Sequence, residues 1–189
     1  MNVVLVGLGL LLLVFVLVCF NRLVALRNRA AAAWADIDVQ LKRRHDLVGN
    51  LVEAVRGYVG HEAGTLEAVV RARGEAESAR GAGLPAEAGA ASARLGERVR
   101  TLFVVVEADP ELKASARFLD LHRALVDLED DLQNARRYYN AVVRDLNTRI
   151  QSFPDLLVAR LFGFAERAFF ELQDRAEAAV PQVDVGGPR

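Results

Sequence analysis

From Val3 to Phe20 the chain reads VVLVGLGLLLLVFVLVCF, eighteen residues with no charge and no proline. As a helix rising 1.5 Å per residue this run is about 27 Å long, close to the thickness of a bilayer hydrocarbon core. It is apolar on every face, whereas a helix lying on a protein surface keeps one polar side. Asn2 on one side and Asn21-Arg22 on the other mark its edges. Residues 1–21 are therefore expected to form a transmembrane anchor. A cleaved signal peptide needs a basic n-region and small residues before the cut. Met1-Asn2 has no basic side chain, Leu17-Val18-Cys19-Phe20 has no small-residue site, and Val18 is too large for a lipoprotein-type cut before Cys19. Arg22, Arg27 and Arg29 follow the run. The positive-inside rule then places the N-terminus outside and the rest of the chain in the cytoplasm.

What remains after the anchor suffices for one domain with its own core. Residues 22–175 are expected to form it, and 176–189, with two prolines and two glycines from Val180 on, a flexible tail. The net charge of -1 gives no reason to expect nucleic acid as a partner. Cys19 is the single cysteine, so no disulfide framework exists within the chain.

The fold class expected is all-α: an antiparallel bundle of about four long helices plus a short C-terminal one. Trp34, Ile37, Leu41, Arg44, Val48, Leu51, Val55 and Tyr58 recur at alternating spacings of three and four, the period of a helix along a bundle seam. The anchor is expected to continue into this helix. A second helix is read from His61 to about Arg80, with Leu66, Val69 and Val70 inward. Gly81-Ala82-Gly83-Leu84-Pro85 breaks the chain, and the Ala- and Gly-rich stretch around it is expected to be the least well packed part. Pro85 suits the first position of a third helix, whose inward side is Leu95, Val99, Leu102 and Val106. Asp109-Pro110-Glu111 is a helix start. The seam read from it runs Phe118, Leu121, Leu125, Leu128, Leu132, Ala135, Tyr139, Val142, Leu146, Arg149, Phe153. Pro154 ends it. A further short helix is expected within Pro154 to Leu172. Its phenylalanines, Phe162, Phe164, Phe169 and Phe170, have the bundle, a partner or the membrane surface as docking sites, with the bundle favoured.

Chemistry-bearing groups are sparse. His61-Glu62-Ala63-Gly64-Thr65 lacks the second histidine of a zincin motif, and Glu-x-x-His pairs for a di-metal bundle are absent. His45 and Asp46 are adjacent and face different sides of a helix, and His122 has no evident partner. No catalytic residue, metal ligand or cofactor is expected. The polar residues singled out as an interaction or structural cluster are Arg43, Arg44, His45 and Asp46, with Arg136 and Arg137 on the last long helix. Arg44 differs from the rest because it occupies a seam position. A seam arginine must be paired or reach water. Glu129 and Asp130 are its candidate partners, in a pair that sets helix register.

Several stretches resemble the LemA family: Ala25-Leu26-Arg27-Asn28-Arg29, Ala33-Trp34, Ile37 through Val48, Asn50-Leu51-Val52, Tyr58 with His61-Glu62, and Thr65-Leu66-Glu67. Pro110 through Ala114, Ala135 through Asn140 and Phe153-Pro154 match the same pattern. The resemblance runs from about Asn21 to Phe170, and Gly49 departs from it. It implies an N-terminal anchor and a membrane-proximal helical bundle, and no common reaction. Some magnetosome membrane proteins look similar, which points to membrane organisation. The function expected is a membrane-anchored scaffold or adaptor, not an enzyme. An accessory subunit of a membrane enzyme such as a protease and a self-assembling membrane organiser are the alternatives. The bilayer, through residues 3–20, and a protein of unknown identity are the expected partners.

Overall fold

With no proline before residue 85, nothing in the first 55 residues forces a helix to stop. In a computed structural model, which describes residues 2–57, 63–107 and 109–170, α1 (Asn2–Val55) runs unbroken from the apolar leader into the seam. It is followed by α2 (Ala63–Gly81), α3 (Pro85–Glu107), a single turn α4 (Pro110–Lys113), α5 (Ala116–Gln151) and α6 (Asp155–Leu161). The described residues contain no strand. Successive long helices reverse direction, so the fold is the antiparallel all-α bundle expected. The main pairings are α1 with α5 and α2 with α3. Tyr58, His61 and the 176–189 tail lie outside the described residues.

The seams account for the core. Ile37, Leu41, Arg44, Val48, Leu51 and Val55 of α1 are all buried, as are Leu95, Val99, Leu102 and Val106 of α3. On α5 the pattern holds from Phe118 to Leu146, with Leu121 and Ala135 partly covered. It then shifts by one residue: Ile150 is buried, Arg149 turns out to bind Asp155, and Phe153 is exposed. A strict three-four reading drifts from the true 3.6 period over so many turns. In α2 Val69 is buried but Val70 is exposed.

Three further expectations need correction. Asp109-Pro110-Glu111 opens α4 and not the long helix. The Asp109 carboxylate accepts a hydrogen bond from the Leu112 amide at 3.3 Å, as an N-cap does. The backbone then turns extended at Ser115, and α5 begins after it. The stretch after Gly81 is also better packed than its composition implies. Gly81 through Leu84 are exposed, with Gly83 at φ +69°, but Ala88, Gly89, Ala91 and Ser92 are buried. Small residues let the α3 backbone come close to its neighbours, compensating for the missing large side chains.

The third correction concerns the phenylalanine-rich segment, which is helical only to Leu161. Gly163, at φ +69°, stops α6. The Phe164 amide bonds the Ala159 carbonyl at 2.9 Å and the Gly163 amide the Arg160 carbonyl at 3.4 Å, the Schellman arrangement. Residues 164–170 continue without helix along α5. Asn147 holds them by a reciprocal pair: its Nδ2 donates to the Arg167 carbonyl and its Oδ1 accepts from the Arg167 amide, both at 2.9 Å. Two turns earlier Asn140 makes the same pair with Phe170, at 3.2 and 2.9 Å. The Tyr139 hydroxyl donates to the Ala168 carbonyl at 2.9 Å. Each carboxamide offers a backbone-like donor and acceptor, so an extended strap satisfies its polar groups against a helix. Phe170 is buried beside Trp34, with ring centroids 6.2 Å apart.

Asn147→Ala removes both bonds to Arg167 and leaves two polar backbone groups without partners. The expected cost is about 1–3 kcal/mol. Trypsin cleavage after Arg167 is expected to accelerate in the folded protein, read by timed proteolysis and mass spectrometry.

Candidate interaction cleft

The apolar core falls into two clusters. The lower one includes Leu23, Ile37 and Leu41 of α1, Ala88 of α3, and Leu132, Tyr139 and Leu146 of α5. The upper one includes Val48, Leu51 and Val55 of α1, Leu95 and Val99 of α3, and Leu125 and Leu128 of α5. Between them lies a polar layer. Arg44 reaches from α1 with only 8 % of its side chain exposed. Its Nη1 donates to the Ser92 hydroxyl at 2.8 Å and to the Ser92 carbonyl at 3.1 Å. Its Nη2 donates to Glu129 Oε2 at 2.6 Å. Three helices thus contribute one position each to the same level.

Gly96 makes this possible. A Cβ there would lie 2.7 Å from Arg44 Nη2. Gly49 serves Arg73 in a parallel way: a Cβ would sit 2.9 Å from its Nη2, and Arg73 Nε donates across α1 to the His45 carbonyl at 3.0 Å. Burial lowers the Arg44 pKa from its ordinary value and the Glu129 carboxylate acts in the opposite direction.

Alongside the layer α3 and α5 leave a cleft of about 460 Å³. Arg44, Ser92 and Gly96 form part of its wall, Glu129 and Arg136 another, and Phe103 and His122 stand at its upper end. The His122 ring meets Phe103 edge-on at 4.6 Å and also faces Phe118. The combination is amphipathic: apolar walls, a guanidinium layer and an aromatic rim.

The cluster read from the sequence does not assemble in one place. Successive residues of a helix project about 100° apart. Arg43 therefore points toward Asp131 of α5, at 4.0 Å, while Arg44 enters the core. His45 faces α2, its Nδ1 3.8 Å from Glu77 Oε2, and Asp46 meets Lys42 on the surface. Arg136 joins Arg44 at the cleft, whereas Arg137 is exposed and bonds Asn134. Of the two acids proposed for Arg44, Glu129 is the partner. Sequence reasoning missed Ser92, Gly96, Phe103 and the Asp38–Arg80–Glu77 network that joins α1 to α2. Arg80 donates to Asp38 at 2.9 Å and to Glu77 at 2.7 and 2.9 Å. The hydrogen bonds from Arg80 are the main reason the Glu77 carboxyl is held below its usual range. Among the described residues no group of three or more His, Cys, Asp and Glu side chains is placed to hold a metal ion.

The architecture defines a class: an all-α bundle built along one helix whose first part is long and apolar enough to cross a membrane. Within that class the assignment is specific. The LemA family model matches residues 33–185, and the chain belongs to the LemA family. A curated relative is the magnetosome protein MamQ of Magnetospirillum gryphiswaldense (strain DSM 6361 / JCM 21280 / NBRC 15271 / MSR-1). It is 24 % identical, over 87 % of this chain and 70 % of the relative. Both findings support a membrane-associated LemA-family protein.

Gly96→Ala sets two effects against each other. Alanine favours a helix over glycine by about 1 kcal/mol. The added Cβ displaces Arg44 from Ser92 and Glu129, which is expected to cost more, for a net loss of about 1–2 kcal/mol. In an Arg44→Leu background the clash with the guanidinium is gone, and the same change is expected to be neutral or stabilising. Thermal melts of the four proteins in detergent read that sign reversal.

Glu77 gives a pH dependence with a definite sign. Its folded pKa lies below the unfolded value, so its contribution is present above about pH 4.5 and is lost as pH falls through the folded value. Melting temperature is expected to fall more steeply below pH 4.5 in the parent than in Glu77→Gln.

Proposed function

We propose that this chain is a membrane-tethered adaptor whose cleft between α3 and α5 receives a segment of a partner protein, with the bundle on the cytoplasmic side. The observation that carries the reading is the cleft itself. It is amphipathic and arginine-lined, and its Arg44 wall stands on the same continuous helix as the apolar leader. Arg44 stands about 36 Å along α1 from Phe20, at 1.5 Å per residue. A partner seated there is held at a set height above the lipid. Arg136 suits an acidic or carboxylate-bearing segment, and Phe103 and Leu125 suit its apolar side chains.

A membrane-organising, self-assembling role is the second reading. It draws on the similarity to MamQ, which is described as a magnetosome protein. In that case the occupant of the cleft is another copy of the chain. An accessory role beside a membrane enzyme is compatible with the same cleft.

Photo-crosslinking in the native membrane tests the proposal. Benzoylphenylalanine at Gln133, on the cleft wall, is expected to yield a discrete protein adduct that mass spectrometry identifies. The same probe at Val39, exposed on α1, is expected to yield much less. Equal labelling from both positions, or none from Gln133, overturns the cleft as the docking site. An adduct consisting of the chain with itself favours self-assembly over the adaptor.

A further inference from the structure

The lower end of the bundle overlaps the end of the apolar leader. Val16 and Phe20 pack against the lower cluster, and Cys19 and Leu23 are buried in it together with Val158 and Ala159 of α6. Phe20 meets Phe162 with ring centroids 4.9 Å apart and Phe164 at 5.7 Å. The Arg27 guanidinium lies 5.4 Å from the Phe164 ring centre, one to two turns above. So α6 lies beside the last turn of the run that is long and apolar enough to cross a bilayer, not above it.

One side of α6 is used in this contact. The opposite side is apolar and bare. Leu157 is 59 % exposed and Leu161 74 %, four residues apart on one face. Phe153, in the turn that leads into α6, is 79 % exposed, and Phe162, at its end, is half exposed. Arg22, two residues after Phe20, and Arg160, one before Leu161, are both exposed. In water four such side chains on and immediately beside so small an element are unfavourable. At a bilayer surface the arrangement is that of an interfacial element, apolar residues at the acyl boundary and arginines reaching headgroup phosphates.

We infer that the α5–α6 corner, through Phe153, Leu157, Leu161 and Phe162, inserts into the headgroup–acyl boundary of the leaflet from which α1 emerges. The inference rests on the reading of residues 3–20 as a membrane span. The occupant is lipid because the patch is continuous with that span through the Phe20–Phe162 contact. Two attachments, one spanning and one lateral, then orient the bundle as well as hold it.

Spin labels report depth at each position. The full chain carrying Cys19→Ala is labelled after Leu11→Cys, Leu157→Cys, Leu161→Cys or Val104→Cys. Each protein is reconstituted in phosphatidylcholine–phosphatidylglycerol vesicles. Leu11 lies within the leader, and Val104, 65 % exposed, lies on the upper part of α3. Collisions with oxygen are expected to exceed those with a water-soluble nickel chelate severalfold at 11, 157 and 161. The ratio is expected to reverse at 104. A lipid signal at 11 with a water signal at 157 and 161 overturns this inference and leaves the anchor intact. Shielding of 157 and 161 from both colliders overturns it in favour of a second copy of the chain. A water signal at 11 removes the anchor reading and this inference together. Quenching of a Leu157→Trp variant by brominated lipid, compared with the parent's Trp34 signal, reads the same depth without altering Cys19.

Discussion

Arg44 is the point on which the bundle is organised. A guanidinium is expensive to remove from water, and it is tolerated in a core only when its donors are occupied. Here Ser92 and Glu129 occupy them, from α3 and α5. Sliding any of the three helices by one turn would leave the cation without partners, whereas leucines would slide into other leucines at modest cost. On this reading the polar layer would discriminate between registers more than it adds stability. Glu129 is 58 % exposed, so water screens the pair and its net contribution is small.

The same layer accounts for the cleft. A guanidinium and a carboxylate stand where interdigitating apolar side chains would otherwise pack, and Gly96 leaves the room the guanidinium occupies. α3 packs on α2 more than on α5. Gly49 and Arg73 show the principle on the other side of α1. There a glycine in the middle of a helix, unfavourable by itself, provides a seat for an arginine from α2. Both glycines look like faults in a helical pattern until their arginines are seen.

The parts of the fold that could be read beforehand were those governed by periodicity. The continuous α1, the buried stripes of α3 and α5, and a partner for Arg44 at Glu129 or Asp130 all follow from spacing and the cost of an unpaired buried charge; the structure selects Glu129. Local exceptions could not be read that way. The break at Ser115 falls inside a stretch whose residues all tolerate a helix. The strap after Gly163 depends on Asn140 and Asn147, which look like ordinary surface amides because their partners lie 20 to 30 residues away. Among the cleft residues, Arg44 and Arg136 were visible as charges. Ser92, Gly96 and Phe103 gave no signal, because their roles are defined by what stands opposite them.

The unbroken course of α1 has a mechanical consequence. Between Phe20 and Val55 it contains no proline, and its one glycine, Gly49, is braced by Arg73. A helix without a hinge behaves as a lever. From Phe20 to Val55 the arm is about 52 Å, so a ten-degree lean of its base carries the far end sideways by roughly 9 Å. If residues 3–20 span a bilayer, a change of thickness taken up by tilting the helix is converted into lateral travel at the tip.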